Sequence, residues 1–349
     1  MSQPLTCYPV YDMGSGPRTK SLRFWQPLNT LFPEVISSKH VAHDRVLISA
    51  YYASGFARYQ LRKKLGLDEH VALFMDSGGY QIFSRNLSFS PEETISVLRY
   101  MEENEANLAA TLDFPYQHKE TSIQEGWRRI EISVKYALLA LKHRRKDSLK
   151  LYAVIHGWDL MTVKKVASIL AKHEFDGFCL GTPLMKDKTN SKSTYLLNLT
   201  QMISGVKEMI GEKPIHVFGV GNTPAIYLLA KLGVNSFDTL RYLHSAKYRE
   251  YMLPQGSFAM IGRSEKSGRK IKQLPCSCPI CLNVDAAMLS MDGSRPGALL
   301  AMHNLLTLLN LVKLINTARY EGWYDDLLVK ATSEFPMLKP SVRWLSKQS

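Results

Sequence analysis

Short apolar runs rich in β-branched residues alternate along this chain with longer stretches of helical apolar spacing. The short runs predict strands over RVLISAYY (45–52), VALFMDS (71–77), LAATLDF (108–114), LYAVIHG (151–157), GFCLGT (177–182), IHVFGVG (215–221) and SFDTL (236–240). The longer stretches predict helices over 90–104, 121–146, 161–173 and 223–233. The first of these opens with Ser90 as N-cap, Pro91 at the first helical position and Glu92 and Glu93 in the first turn. The last begins at Thr223-Pro224 and ends at Gly233, a C-cap signal.

Repeated strand–helix units place successive strands parallel. Seven strand candidates in a chain of this size favour an α/β fold of the (β/α)8, TIM-like barrel type over a doubly wound sheet. No GxGxxG follows the first strand, which weakens a dinucleotide-binding reading. In such barrels the reactive groups stand at the C-terminal ends of the strands. Those ends read Asp76 with Ser77, Gly78 and Gly79, then Asp113, His156, Gly181, Gly221 and Asp238. A single strand-end Asp more often caps a helix or forms a turn. Three in one series, each after an apolar run and among glycines that let backbone approach a ligand, point to a site.

Charge adds a partner class. The chain has 349 residues, a formal net charge of +13 and 45% hydrophobic residues, so a full core can be buried. Basic residues gather at Arg144 to Lys146, at Arg263 to Lys272, and around Lys339, Arg343 and Lys347. That excess suits a polyanion such as DNA or RNA, and a solvated basic surface has the same composition. No run of 18 apolar residues occurs, so no membrane-spanning helix and no membrane partner is expected. The N-terminal MSQPLTCYPVYDMG lacks the basic-then-apolar order of a secretory signal. Five cysteines, an odd count, do not suit a disulfide framework, and a reducing, cytoplasmic setting is expected.

Three of those cysteines fall within six residues. Cys276, Cys278 and Cys281 form C-x-C-x2-C, and His303 follows 22 residues after Cys281. Three thiolates and an imidazole form the closed tetrahedral set that holds structural Zn2+. The competing readings are a redox CxxC at Cys278 and Cys281, or a disulfide. A redox CxxC normally opens a helix after a strand near a chain start, whereas this one follows a basic loop; a disulfide would strand the third thiol. Zinc is preferred, and with four protein ligands it would be structural and not catalytic. Cys179 lies within a strand candidate and reads as core. A helix over 297–315 carries His303, so the metal would pin that helix to the cysteine loop. The expected division is a catalytic barrel over 1–260, a zinc-binding subdomain over 261–310, and a helical segment over 311–349 completing the barrel.

Taken in order, these motifs resemble the tRNA-guanine transglycosylase superfamily over roughly residues 45 to 310. DSGGYQIFS (76–84), TLDFPYQ (111–117), GFCLGTPL (177–184), FGVGNTPAIYLLAKLGVNSFD (218–238) and CSCPIC with His303 are similar to that family's successive signatures. The resemblance implies a (β/α)8 barrel with a zinc subdomain and base exchange through a covalent glycosyl-enzyme. Asp238 would be the nucleophile and Asp76 the general acid/base. Asp113 would bind the Watson–Crick edge of guanine or of an incoming 7-deazaguanine. His156 falls where the family has a glutamine that contacts the base, and Tyr80 where an aromatic can stack on it. Ser77, Gly78 and Gly181 would complete the base pocket. The chemistry suits these residue types, because displacement at an anomeric carbon needs one carboxylate to capture an oxocarbenium-like centre and another to exchange protons with the bases.

Some positions depart from the bacterial tRNA enzymes. The Thr-Arg-Ser-Gly-Arg run after the nucleophile is replaced by TLRYLHSAKYREYMLPQG (239–256), and the paired pocket glycines are reduced to Gly181-Thr182. A compact chain of this kind resembles the DNA-modifying DpdA-type enzymes, which exchange guanine for a 7-deazaguanine such as preQ0. DNA is therefore the expected polymer, with tRNA as the alternative. A noncatalytic nucleic-acid-binding subunit is disfavoured because Asp76 and Asp238 are both present. An unrelated barrel hydrolase would release guanine without needing an acceptor base. The family resemblance also allows a homodimer paired through the zinc subdomains.

Overall fold

Successive side chains of a strand point to opposite faces, so in a closed barrel one alternate set faces the axis and the other faces the surrounding helices. The computed structural model describes residues 21–27, 44–53, 61–79, 90–115, 122–181, 191–253, 255–261, 270–271 and 273–348. Among them, β1 (Arg23–Pro27), β2 (Arg45–Ser49), β3 (Ala72–Asp76), β4 (Leu108–Ala110), β5 (Lys150–Ile155), β6 (Gly177–Leu180), β7 (Ile215–Val217) and β8 (Ser236–Asp238) form a closed parallel barrel in sequence order. β1 closes it, with Trp25 opposite Asp238 on β8 and Gln26 opposite Val46 on β2. The barrel is the fold expected from the alternation of strands and helices.

Seven strands fall where the apolar runs place them. β1 is the one not anticipated, because RFWQP carries no β-branched residue and ends in proline. Its position comes from pairing on both sides. Several strands are shorter than their apolar runs: β4 ends at Ala110, leaving Asp113 three residues beyond it. Trp25, Leu47, Phe74, Leu108, Ala110, Val154 and Cys179 fill the barrel interior, with Phe218 against them. Cys179 is fully buried there, as its strand position implied. The opposite set, including Met75, Ile155, Leu180, Val217 and Phe237, belongs to the larger core shared with the helices.

The helices are α1 (Ala50–Ala53), α2 (Leu61–Leu65), α3 (Pro91–Glu103), α4 (Ile123–His143), α5 (Leu160–Leu170), α6 (Lys192–Ile210), α7 (Thr223–Lys231), α8 (Arg241–Lys247), α9 (Ala286–Ser290), α10 (Ser294–Glu321), α11 (Tyr324–Glu334) and α12 (Lys339–Ser346). At the start of α3 the Ser90 hydroxyl accepts from the Glu93 amide at 3.2 Å and the Glu93 carboxylate accepts from the Ser90 amide at 2.7 Å, a reciprocal cap. α7 is capped at Leu232, and Gly233 just beyond it takes a φ of +66° that favours glycine.

A second, three-stranded sheet follows the barrel strands: β9 (Glu250–Met252) lies antiparallel to β10 (Phe258–Ile261), which lies parallel to β11 (Lys270–Ile271). α10 ties this sheet to the barrel and passes unbroken through residue 310. Length and apolarity alone would let it cross a membrane, but 67% of its most apolar window is buried inside the protein, as in a core helix. Two side-chain amides secure it, one buried and one half-buried. Asn304 accepts from the Met252 amide at 2.8 Å and donates to the Glu250 carbonyl at 2.9 Å. Asn316 accepts from the Leu22 amide at 2.9 Å and donates to the Leu22 carbonyl at 2.8 Å, just before β1. Buried amides left without such partners would cost about 1–3 kcal/mol each.

The basic run at 144–146 has local work to do. Arg144 pairs with Asp176, Lys146 Nζ donates to the Glu102 carbonyl at 2.7 Å, and the Arg145 and Lys146 amides donate to the Glu102 carboxylate at 2.6 and 3.1 Å. These contacts sit between α4 and β5, at the end of the barrel opposite the strand C-termini. The stretch over 263–272 lies mostly outside the described residues.

Candidate active site

The parity that fills the barrel with Phe74, Val154 and Cys179 puts Asp76, His156 and Gly181, each two residues further on, at its mouth. Asp238 stands in the same way two residues beyond Ser236. Asp76 is the last residue of β3, and its Oδ1 accepts from the Gly78 amide at 2.7 Å. Burial raises its pKa to about 7; the Gly78 bond opposes the shift, and the carboxylates of Asp238 and Asp113 add to it. A carboxyl held near neutrality beside other carboxylates can both give and take a proton at physiological pH.

Asp113 reaches the same mouth from the loop after β4. The Ser77 hydroxyl donates to its Oδ1 at 2.8 Å, and His156 Nε2 donates to its Oδ2 at 2.7 Å. The loop is held by the Phe114 amide donating to Ser133 Oγ on α4 at 2.9 Å. Two glycines make room for this cluster. A Cβ on Gly181 would lie 2.3 Å from His156 Cε1, and one on Gly79 would lie 2.6 Å from Asp113 Oδ1, so neither position admits a side chain.

Asp238 ends β8 and is 9% exposed. Its Oδ1 accepts from the Gly219 amide at 2.9 Å and lies 3.3 Å from His216 Nε2. Asp76, Ser77, Gly78, Asp113, His156, Gly181 and Asp238 are thus gathered at one barrel mouth, while Tyr80 lies outside the described residues. His216 and the Gly219 amide are members that motif reading did not pick out. The available signal was an imidazole at an axis-facing position of an otherwise apolar strand. After Asp238, Arg241 donates to Glu250 at 2.7 Å and covers the Phe258 ring, and Arg249 reaches Asp292 at 3.4 Å. Both guanidinium groups therefore make contacts within the protein itself.

The second cluster joins the loop after β11 to α10. The ligand atoms of Cys276, Cys278, Cys281 and His303 all fall within 4.8 Å of one another. His303 Nδ1 is 3.4 Å from Cys278 Sγ and 3.3 Å from Cys281 Sγ. A tetrahedral zinc with ordinary Zn–S and Zn–N lengths would separate sulfur and nitrogen ligands by about 3.5 Å, so this donor set fits such a metal. The other imidazole nitrogen, Nε2, donates to the Met252 carbonyl at 2.9 Å, which leaves Nδ1 unprotonated toward the thiols. Tyr251 stacks on the His303 ring at 3.8 Å. The close sulfurs share their protons unequally, which lowers the Cys278 thiol and raises that of Cys281.

The queuine tRNA-ribosyltransferase family model matches residues 52–336. Similar curated proteins include the tRNA-guanine(15) transglycosylase of Methanococcus aeolicus, 26% identical over 290 residues that make up 80% of this chain and 41% of that protein. The protein of the same name from Saccharolobus solfataricus is 24% identical over 339 residues, 93% of this chain and 64% of that protein. That from Methanocaldococcus jannaschii is 24% identical over 298 residues, 82% of this chain and 42% of that protein. The chain spans about two fifths of the length of the methanogen relatives. The matched span holds every described residue of the carboxylate mouth and all four of the thiol and imidazole ligands, and the chain belongs to the queuine tRNA-ribosyltransferase family.

Proposed function

We propose that this protein is a pentosyltransferase that exchanges a guanine base in a nucleic acid through a covalent Asp238-glycosyl intermediate. The observation that carries this reading is the pairing at one mouth of a carboxylate held by donors on one oxygen, Asp238, with a half-buried carboxyl near neutrality, Asp76. Asp238 attacks C1′ of the target guanosine, and the C1′–N9 bond breaks as the C1′–O bond forms. Protonated Asp76 supplies the proton that the departing guanine takes up. The incoming base, a 7-deazaguanine in this proposal, gives a proton back to Asp76 and displaces the carboxylate, so the configuration at C1′ is retained. Asp113, oriented by Ser77 and His156, accepts from the donors of the guanine edge. Gly181 brings backbone close to the same edge. The target nucleotide must leave its stack to reach this pocket. Zn2+ on Cys276, Cys278, Cys281 and His303 has a structural role in this scheme. The free thiols of those cysteines and of Cys179 suit a reducing cytoplasm.

The relatives named above are tRNA-guanine(15) transglycosylases, and they favour tRNA as the polymer over the DNA expected from sequence. The DNA reading keeps only the sequence departure that suggested it, TLRYLHSAKYREYMLPQG (239–256) in place of the Thr-Arg-Ser-Gly-Arg run of the bacterial tRNA enzymes. Incubation with labelled guanine on bulk tRNA, duplex DNA and single-stranded DNA separates the two. Label entering tRNA alone supports the tRNA reading, and label entering DNA alone supports the other. Label in no polymer sinks base exchange.

Asp76 sets a pH dependence. Single-turnover release of guanine is expected to be flat below about pH 6 and to fall about tenfold per unit above about 7, as the acid form is lost. Asp76→Asn is expected to remove that inflection. A wild-type profile without an inflection near 7, or one retained in the variant, assigns the proton transfer to another group.

A further inference from the structure

His216 lies on β7 one layer beneath the nucleophilic carboxylate and is fully buried. In the β7–β8 register it stands opposite Ser236, two residues before Asp238. Its ring is wedged edge-on between Phe74 at 4.9 Å and Phe218 at 4.6 Å. Nδ1 is 2.9 Å from Ser236 Oγ, and Nε2 is 3.3 Å from Asp238 Oδ1. Nothing in the exchange scheme so far uses this imidazole.

The chemistry of the two contacts settles the direction of both bonds. A carboxylate oxygen can only accept, so the proton facing Asp238 must be on Nε2. Nδ1 then carries the lone pair and accepts from the Ser236 hydroxyl, which can rotate to donate. The reverse tautomer would aim a nitrogen lone pair at an anionic oxygen in a dry, low-dielectric site. Burial lowers the His216 pKa, with Asp238 opposing, so the neutral ring is the favoured form. The Gly219 amide donates to the same oxygen, Oδ1. Among the described residues both bonds go to Oδ1 and none to Oδ2.

We propose that His216 is the positioning residue of the nucleophile: with Ser236 behind it and the Gly219 amide beside it, it clamps Asp238 Oδ1 and leaves Oδ2 as the atom that attacks the anomeric carbon. The proposal rests on the base-exchange reading of Asp238. In the attack Oδ2 forms the C1′–O bond and loses its charge, while Oδ1 becomes the ester carbonyl oxygen. In the second half of the exchange the ester carbonyl returns to a carboxylate, and the donors on Oδ1 stabilise the charge that reappears. The clamp therefore acts on the rate of both covalent steps and not on the binding of base or polymer.

The test compares His216→Leu, which removes the donor within an apolar volume, with His216→Gln, which retains an N–H near the reach of Nε2. His216→Leu is expected to lower kcat for labelled-guanine exchange by about 10²–10³-fold, the loss typical of one preorganised donor. KM for guanine and the Kd for the polymer are expected to stay within about twofold, because the groups that read the base are untouched. His216→Gln is expected to recover all but about tenfold of the loss. A merely structural role predicts the opposite pattern, in which both variants fail together and in step with a lowered Tm. Wild-type exchange by His216→Leu, a loss confined to KM, or a folded His216→Gln as inactive as His216→Leu each overturns the proposal.

A second measurement does not depend on turnover. Nitrogen-15 NMR of the histidine rings, with His216→Gln identifying the resonance, is expected to show a neutral ring protonated on Nε2. An imidazolium or an Nδ1-protonated ring removes the clamp even if exchange is observed. If the wild-type protein exchanges guanine in no polymer while the Nε2–H ring is found, the base-exchange reading has failed and the contact to Asp238 stands.

Discussion

Asp238→Ala is expected to reduce labelled-guanine exchange by about 10³–10⁴-fold or more, because the variant has no atom that can hold the ribosyl group between departure of one base and arrival of the next. The loss should appear wholly in the covalent steps. Asp113, Ser77 and His156 form a separate hydrogen-bonded set, so affinity for free guanine should change by no more than about threefold. Asp238→Asn is the stricter variant. It retains the shape of the side chain and still offers an oxygen to the Gly219 amide, yet it supplies no anionic nucleophile. Denaturing electrophoresis after single turnover should show a protein–nucleic acid adduct with the wild-type chain and none with either variant. Exchange by Asp238→Asn above about a tenth of the wild-type rate would move the nucleophile to another group.

Loss of the metal cluster should be felt as loss of structure. Cys278 is 1% exposed and His303 is fully buried, with Cys276 and Cys281 half-buried, so without a metal three thiols and an imidazole face one another in a partly buried site. The cluster joins the cysteine loop to the middle of α10, and His303 is bonded in turn to the end of β9 through the Met252 carbonyl. α10 also holds the residues before β1 through Asn316, so loosening it reaches the strand that closes the barrel. Cys278→Ser is expected to abolish stoichiometric zinc, which elemental analysis reads directly. It is also expected to cost about 4 kcal/mol or more in denaturant unfolding, since metal binding energy to a structural site is folding energy. The Tm should fall by about 5 °C or more, given an unfolding entropy of about 2 cal/mol/K per residue over the 349 residues of the chain. Exhaustive chelation of the wild-type protein should reproduce the shift, and added Zn2+ should reverse it. A Cys278→Ser protein with one bound zinc and an unchanged Tm would mean that the cluster does not ligate metal. Amide exchange would place the effect, with the largest loss of protection in β9 and the first half of α10.

Much of this site could be read along the chain, and the reasons are local. A strand that lies between axis and helices on both faces needs a continuous apolar run, and seven of the eight barrel strands have one. Asp76 and Asp238 end such runs, so their place at the mouth follows from parity once the fold is a barrel. The cysteine motif is similarly short in range, and its geometry depends on a few turns between Cys276 and Cys281. The cap of α3 needs only Ser90 and Glu93.

Other features had no local signal. β1 has weak strand character and is held by two neighbours that come from opposite ends of the barrel sequence, one of them more than two hundred residues away. The near-neutral carboxyl of Asp76 needs burial and two other carboxylates, contributed by β8 and the loop after β4. The contact between His216 and Asp238 depends on the register of β7 against β8, and a slip of one residue would turn the imidazole toward the helices. Likewise, the basic run at 144–146 reads as a polyanion site until Asp176 and Glu102 are seen to engage it. Residue types and spacing were thus enough for the barrel, the strand-end placement of Asp76 and Asp238 and the gathering of three cysteines with His303, because strand parity and short loops carry that information. Pairing, protonation and the orientation of the Asp238 carboxylate came from contacts between residues far apart in the chain, whose energies depend on burial and distance that no stretch of sequence contains.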